Sequence, residues 1–220
     1  MKTYIKLLAR KIKTISYVTK EGNIIQGTII KIYSHYLTDI SKIDSQENLT
    51  INLSSQFLST TKQNVNKSVI EYFEKRFLYP LKTTLTSKIN KNIFEKLINL
   101  GVLNEKYMVL PYIRVKNIPI ENLDIQSKTK GLGFTGTIKR FNFKQGPKSH
   151  GSKSLRRPGS IGAGTTPGEV LKNKKMAGHL GFNKKTIKNV NILERDGYKL
   201  ILKNSIPGKN NTDIILKIKI

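Results

Sequence analysis

Cysteine is absent from the 220 residues of the chain. That excludes a disulfide framework, a thiolate zinc site and a cysteine nucleophile. It fits a reducing compartment without requiring one. Long apolar runs are missing as well. The largest clusters, such as Ile24–Ile25 and Ile29–Ile30, are interrupted by polar residues at strand spacing. None approaches the roughly 18 residues needed to span a bilayer, so no membrane partner is implied. Acids are scarce: 14 Asp and Glu stand against 40 Lys and Arg, a formal charge of +26. No ordinary soluble enzyme needs that imbalance. A self-repelling chain of this kind usually has a polyanionic partner, and nucleic acid is the commonest. Three His are the only groups that titrate near neutrality, so the charge is nearly constant over physiological pH.

Apolar residues make up 37% of the chain and aromatics 8%. That is low for a chain that is all compact core and too high for full disorder. Among the cations Arg is scarce, 7 against 33 Lys, and Lys, Ile and Asn together account for 81 residues. An AT-rich genome favours the codons of all three. Individual surface Lys and Asn therefore carry little information, and the seven Arg are the better candidates for specific contacts.

The first twenty residues hold no acid, a composition shared by organellar transit peptides. The competing reading is a first β-strand, with Ile15 and Tyr17 on one face and Ser16 on the other. Lys20-Glu21-Gly22-Asn23 then forms a hairpin turn and Ile24–Tyr33 the return strand, which favours the strand. Residues 34–62 are polar and ambiguous. Val65, Val69, Tyr72, Phe73 and Phe77 share a helical face over 64–77, and Pro80 follows where a helix cannot continue. Ile89, Ile93, Leu97 and Leu100 predict a second helix over 87–100, capped by Gly101. The connection between the two is too long for a helix-turn-helix, which favours a helical insert covering a sheet. Tyr107, Val109, Ile113 and Val115 alternate as a strand. At the other end, Val190–Arg195 and Tyr198–Leu202 flank Asp196-Gly197, a strong hairpin signal. Ser205-Ile206-Pro207-Gly208 is a further turn. Leu216, Ile218 and Ile220 alternate with Lys217 and Lys219 in a last strand.

Residues 127–188 differ in kind. They hold 11 of the 16 Gly and 15 Lys or Arg against one acid, Glu169. Large apolar residues are too sparse for the segment to fold by itself. It is either disordered or ordered by a partner.

Gly131-Leu132-Gly133-Phe134-Thr135-Gly136 matches the dinucleotide fingerprint by letter. No apolar strand precedes it, Thr137–Phe143 does not read as a helix, and no acid lies about 20 residues on. A nucleotide cofactor is not implied, and the glycines instead let backbone pass close to another surface. Gly162–Gly168 lacks the Lys-Ser/Thr ending of a phosphate loop, and Pro167 removes an amide donor. His150 and His179, with no Cys and a single acid nearby, suit phosphate donation or base stacking better than a metal. Ser149, Ser152 and Ser154 lie near His150 without a carboxylate to hold a base, which disfavours a triad. No catalytic residue, metal site or small-molecule substrate emerges. The basic groups, spaced by glycine and proline turns and interleaved with Phe134, Phe141, Phe143, Met176 and Phe182, suit an irregular phosphate-lined surface. Folded RNA fits this better than regular duplex DNA.

Lys130–Phe143 resembles the central motif of the universal large-subunit ribosomal protein number three, bacterial type. So do Ser149-His150-Gly151-Ser152, followed by Arg157–Gly162, and Thr166-Pro167-Gly168, leading into Lys174–Gly181. Order and spacing agree over about sixty residues. The likeness extends weakly to the Glu21-Gly22 hairpin and to residues 189–220. The resemblance implies a β-barrel body with a long irregular basic extension; with the helical insert about 64–101 that the periodicity adds, the expected fold is mainly β. Residues 1–126 and 189–220 would build the body, and 127–188 the extension into large-subunit rRNA, deepest at about 158–168 and ending near the peptidyl transferase centre. Members are early assembly proteins near the factor-binding region, with neighbouring ribosomal proteins as further partners. The candidate rRNA-binding residues are Lys128, Lys130, Lys139, Arg140, Lys144, Lys148, His150, Lys153, Arg156, Arg157, Ser160, Thr165, Thr166, Lys172, Lys174, Lys175, His179, Lys184 and Lys185. Two departures stand out: residues 44–110 match the family poorly, and 158–168 contain no Gln, although many bacterial members carry a methylated Gln near the tip.

Two functions follow from different classes. One is a ribosomal structural protein of a plastid, a mitochondrion or an AT-rich bacterium, and no cofactor goes with it. The other is a free-standing RNA-binding or RNA-modifying protein. An enzyme would show a clustered acid, base or nucleophile beside the basic surface, and the sequence shows none. The lack of a clear presequence points to synthesis inside the compartment where the protein works.

Overall fold

The computed structural model describes residues 4–19, 21–42, 48–57, 68, 71, 81–100, 118, 120 and 122–219. In chain order its elements are β1 (Tyr4–Val18), β2 (Ile24–Ile32), β3 (His35–Lys42), β4 (Asn48–Phe57), β5 (Leu81–Asn90), α1 (Lys91–Asn99), β6 (Asn122–Lys128), β7 (Gly133–Thr135), α2 (Thr137–Phe141), β8 (Gly178–Leu180), β9 (Lys184–Asp196), β10 (Lys199–Lys203) and β11 (Thr212–Lys219). The fold is mainly β, as expected.

The acid-free start of the chain is a strand. β1 and β2 pair antiparallel from Val18↔Ile24 back to Ala9↔Ile32, around a turn in which Gly22 takes φ +82°. Gly is the residue that adopts this conformation without steric cost. Residues 4–11 pair in turn with β11, from Tyr4↔Lys219 to Lys11↔Thr212. The segment with transit-peptide composition is therefore part of the folded body.

Six strands close into a barrel in the order β1-β11-β6-β9-β10-β2. Period-two alternation explains the closure. Ile5, Leu7 and Ala9 on β1, Ile30 and Ile32 on β2, Leu200 and Leu202 on β10, and Ile214, Leu216 and Ile218 on β11 are all buried. Leu123 and Ile125 of β6 and Val190 of β9 complete the same core. The C-terminal hairpin signal holds: β9 and β10 meet across Asp196–Lys199, with Gly197 at φ +54°.

A second sheet, order β3-β4-β5, occupies much of the stretch whose sequence was ambiguous. Its apolar residues Leu49, Ile51, Leu53 and Ile89 join the barrel core, together with Leu97 of α1. The helix expected over 87–100 begins later, at Lys91. Residues 87–90 instead end β5, where Ile89 pairs with Leu49. Ile89 fits a helical stripe with Ile93 and Leu97 by spacing alone, but it reaches the core as a strand residue. Of the helix read over 64–77, only Ser68 and Glu71 are described, both helical. Pro80, the Gly101 cap and the strand through Tyr107–Val115 lie outside the described residues.

Two compact units result. One comprises Met1–Lys128 and Lys184–Ile220, the other Thr129–Asn183. The second unit holds β7, α2 and β8. Its buried residues are Thr135 and Thr137, and none of its side chains belongs to the apolar core.

Candidate nucleic-acid interface

The 129–183 unit has short ordered pieces in place of a core. β7 and β8 form a two-stranded ribbon with Gly133↔Leu180, Phe134↔His179 and Thr135↔Gly178. The Leu132 amide extends it by donating to the Leu180 carbonyl at 2.9 Å. Helix α2 follows at once. The residues after the glycine fingerprint are thus helical after all, contrary to the sequence reading. The helix is only five residues long and ends at Asn142 in the left-handed region, φ +58°, where Asn is tolerated.

One side chain ties helix to ribbon. Arg140, half-buried, donates from Nη1 to the Met176 carbonyl at 2.7 Å. Its guanidinium lies 5.0 Å from the Phe141 ring centroid, and the Lys175 ammonium lies 6.0 Å from the same ring. Space for the guanidinium exists because residue 178 is Gly: a Cβ there would stand 2.6 Å from Nη1. Gly181, at φ +83°, packs against the Lys130 carbonyl, and any Cβ would collide with it. Gly131 and Gly136 meet no comparable obstruction, so nothing within the chain demands glycine there.

Residues 142–177 are turns. Positive φ recurs at Asn142, His150, Gly151, Gly159, Gly168 and Asn173. Gly146 donates to the Leu155 carbonyl at 3.0 Å, and a Cβ on it would meet the Ser154 carbonyl at 2.8 Å. The closed 146–155 loop helps wall an open pocket of about 710 Å³, lined by Phe143, Lys144, Gln145, Gly146, Ser154, Arg157, Pro158 and Gly159. The pocket therefore offers an ammonium, a guanidinium and one aromatic face.

Of the sequence-derived candidates, Lys130, Lys139, Lys144, Lys148, His150, Lys153, Arg156, Arg157, Ser160, Thr165, Thr166, Lys172, Lys174, Lys175 and His179 are exposed in this unit. Lys128, Lys184 and Lys185 are exposed on β6 and β9 of the other. Lys144 and Arg157 meet at the pocket, whereas Arg156 does not line it. Arg140 differs from the rest, because its guanidinium is engaged inside the chain. In the sequence it stands, like Lys139, simply as a candidate rRNA-binding residue. The unit carries eleven Lys or Arg against Glu169 alone. Among the described residues no carboxylate pairs with any of them; the ion pair between Arg10 and Asp213, at 3.4 Å, lies on the barrel. Unpaired cations on irregular backbone are chemically suited to a ligand that brings its own anions. The pocket residues Phe143, Gln145 and Pro158 were not among the candidates. For Phe143 the available signal was the aromatic interleaving of the basic groups.

A family model for Ribosomal protein L3 matches residues 28–199. A large ribosomal subunit protein uL3c of Gracilaria tenuistipitata var. liui is 36% identical over 208 residues, covering 93% of this chain and 95% of the relative. A large ribosomal subunit protein uL3 of Buchnera aphidicola subsp. Schizaphis graminum is 34% identical over 217 residues, 97% of each chain. A uL3c of Phaeodactylum tricornutum is 34% identical, covering 92% of this chain and 93% of the relative. The chain belongs to the ribosomal protein L3 family, whose members are structural constituents of the large ribosomal subunit. Its relatives are of bacterial and plastid type, consistent with a ribosome in a bacterium or an organelle.

Proposed function

We propose that the chain binds large-subunit rRNA through residues 127–188 and supports assembly of the subunit from within the RNA. Residues 1–126 and 189–220 serve as the body. The observation that carries this is the composition of the 129–183 unit: no apolar core, eleven cations and one acid. Ordering backbone costs about 1–2 kcal/mol per residue. With so little apolar burial to offset it, contacts to RNA phosphates supply the remainder. The glycine and asparagine turns let the backbone follow an irregular surface. The exposed candidates, from Lys128 to Lys185, are the phosphate-binding set, with the 158–168 turn reaching toward the peptidyl transferase centre. Neighbouring large-subunit proteins adjoin the body. The role is structural, and the chemistry of translation belongs to other components.

The test is filter binding of the full-length chain to a large-subunit rRNA transcript as salt rises. Contact with 6–10 phosphates lowers affinity by roughly 10³- to 10⁵-fold between 50 and 200 mM on the duplex-DNA scale, and somewhat less on irregular RNA. A flat salt response would place the binding surface elsewhere. Co-sedimentation with large subunits in moderate salt separates a ribosomal component from a free-standing RNA-binding protein, which would stay at the top of the gradient.

A further inference from the structure

The two faces of the β7–β8 ribbon are unlike. Successive residues of a strand point to opposite faces, so Thr135 and Gly178 lie on one and the Phe134–His179 pair on the other. The first face is packed within the unit. Thr135 is buried, its hydroxyl donates to the Gly178 carbonyl at 3.4 Å, and Gly178 abuts the Arg140 guanidinium. The second face is open. Phe134 is 70% exposed and Leu132 52% exposed. Gly136, two residues beyond Phe134, has nothing within 4 Å of where a Cβ would stand, which leaves that side of the pair uncrowded.

The ring is also held. His179 stands edge-on to it, centroids 5.8 Å apart and planes at 86°. A T-shaped pair of this kind leaves one aromatic face for a third ring and puts an imidazole nitrogen beside it. We propose that this open face is a stacking site for one unpaired RNA base, with Phe134 as the platform and His179 as the wall that reaches the base edge. The assignment rests on the rRNA-binding reading above. A base is favoured over an apolar protein side chain by its setting, a unit with eleven cations and a single acid. Every nucleobase has a face that stacks on an aromatic ring, and none requires apolar surroundings.

The test uses the full-length chain and an in vitro transcript of large-subunit rRNA, with affinity measured at several salt concentrations. Phe134→Leu is expected to weaken binding about tenfold or more and to leave the salt slope unchanged, because no phosphate contact is lost. Phe134→Tyr keeps the platform and should bind as the parent does. His179→Ala should weaken binding less, about threefold. Both positions are exposed, and equal thermal melts of parent and variants confirm that folding is unaffected. If Phe134→Leu binds the transcript as tightly as the parent, the stacking site is refuted. That includes the case in which this variant is then excluded from subunits, which would assign the face to a protein neighbour. A fall in salt slope would also refute it, by pointing to displaced phosphate contacts. If the parent chain itself does not bind the transcript, the rRNA-binding reading fails first.

Discussion

Two buried polar side chains hold the body together in ways that its charge does not suggest. Lys11 on β1 is 4% exposed. Its ammonium donates to the carbonyls of Ile206 at 2.5 Å and Gly208 at 3.1 Å. The Lys11 carbonyl accepts from the Asn211 amide at 2.7 Å. One residue thus fastens the loop before β11 to β1. Lys11→Met keeps the apolar stem and strands two buried carbonyls, so it should cost about 3 kcal/mol in urea unfolding. Amide exchange should rise across 204–211. His35, at the start of β3, is fully buried and accepts the Leu8 amide at Nε2, 2.7 Å away. Burial lowers its pKa to about 4, while the nearby Tyr33 backbone acts more weakly the other way. The unfolded chain protonates His near 6.5, so below that pH protons bind preferentially to the unfolded state. The stability contributed by neutral His35 is complete above about pH 6.5 and is lost as pH falls toward 4. Two pH units below 6.5 correspond to about 2–3 kcal/mol. Urea midpoints at pH 7.5 and 4.5 should therefore differ more for the parent than for His35→Gln, whose carboxamide accepts the same hydrogen bond without titrating.

Glycine separates internal from external constraint among the secondary elements of the 129–183 unit. Gly181→Ala places a Cβ against the Lys130 carbonyl at φ +83°. It should open the β7–β8 ribbon, seen as rapid exchange of the Leu132 amide. Gly136 has φ −71° and nothing within 4 Å of a built Cβ. Gly136→Leu should leave the melt of the free chain within about 0.5 kcal/mol of the parent and lower incorporation into large subunits, as measured by gradient sedimentation. Normal incorporation would show that residue 136 faces solvent there. The same physics explains which elements were legible in the sequence. The hairpins β1–β2 and β9–β10 announce themselves by Glu21-Gly22 and Asp196-Gly197 between alternating apolar residues. The β3–β4–β5 sheet does not, because Thr38, Ser54, Ser55 and Ser87 occupy buried positions. Hydrogen bonds satisfy several of them: Thr38 to Ser54 at 3.2 Å, Ser54 to Thr84 at 3.0 Å, and the Lys6 amide to the Ser87 hydroxyl at 3.0 Å. Hydroxyls at core positions erase the polar–apolar alternation that marks a strand. In the candidate site the cations were legible as a set. The role of Arg140 was not, since a guanidinium bound to its own backbone reads in sequence like one awaiting a phosphate.

For the whole molecule, the division into two units predicts unequal vulnerability. The 129–183 unit lacks a core, so limited trypsin digestion of the free chain should cut there first and leave the barrel strands intact. In assembled subunits the same bonds should be protected. Equal protection in both states would mean that the unit needs no partner to be ordered. The barrel's own ladder spans the exit and the return of the 129–183 segment. β6 leaves it at Lys128 and β9 re-enters at Lys184, and these two residues are direct cross-strand partners. The ladder itself holds the two ends of the insertion together, so the intervening 55 residues are topologically a hairpin loop. Replacing 129–183 by Asn-Gly, the pair that suits a two-residue hairpin, should yield a chain that folds cooperatively. An edit within that loop leaves the register of the six barrel strands untouched, so that body and insertion can be altered separately.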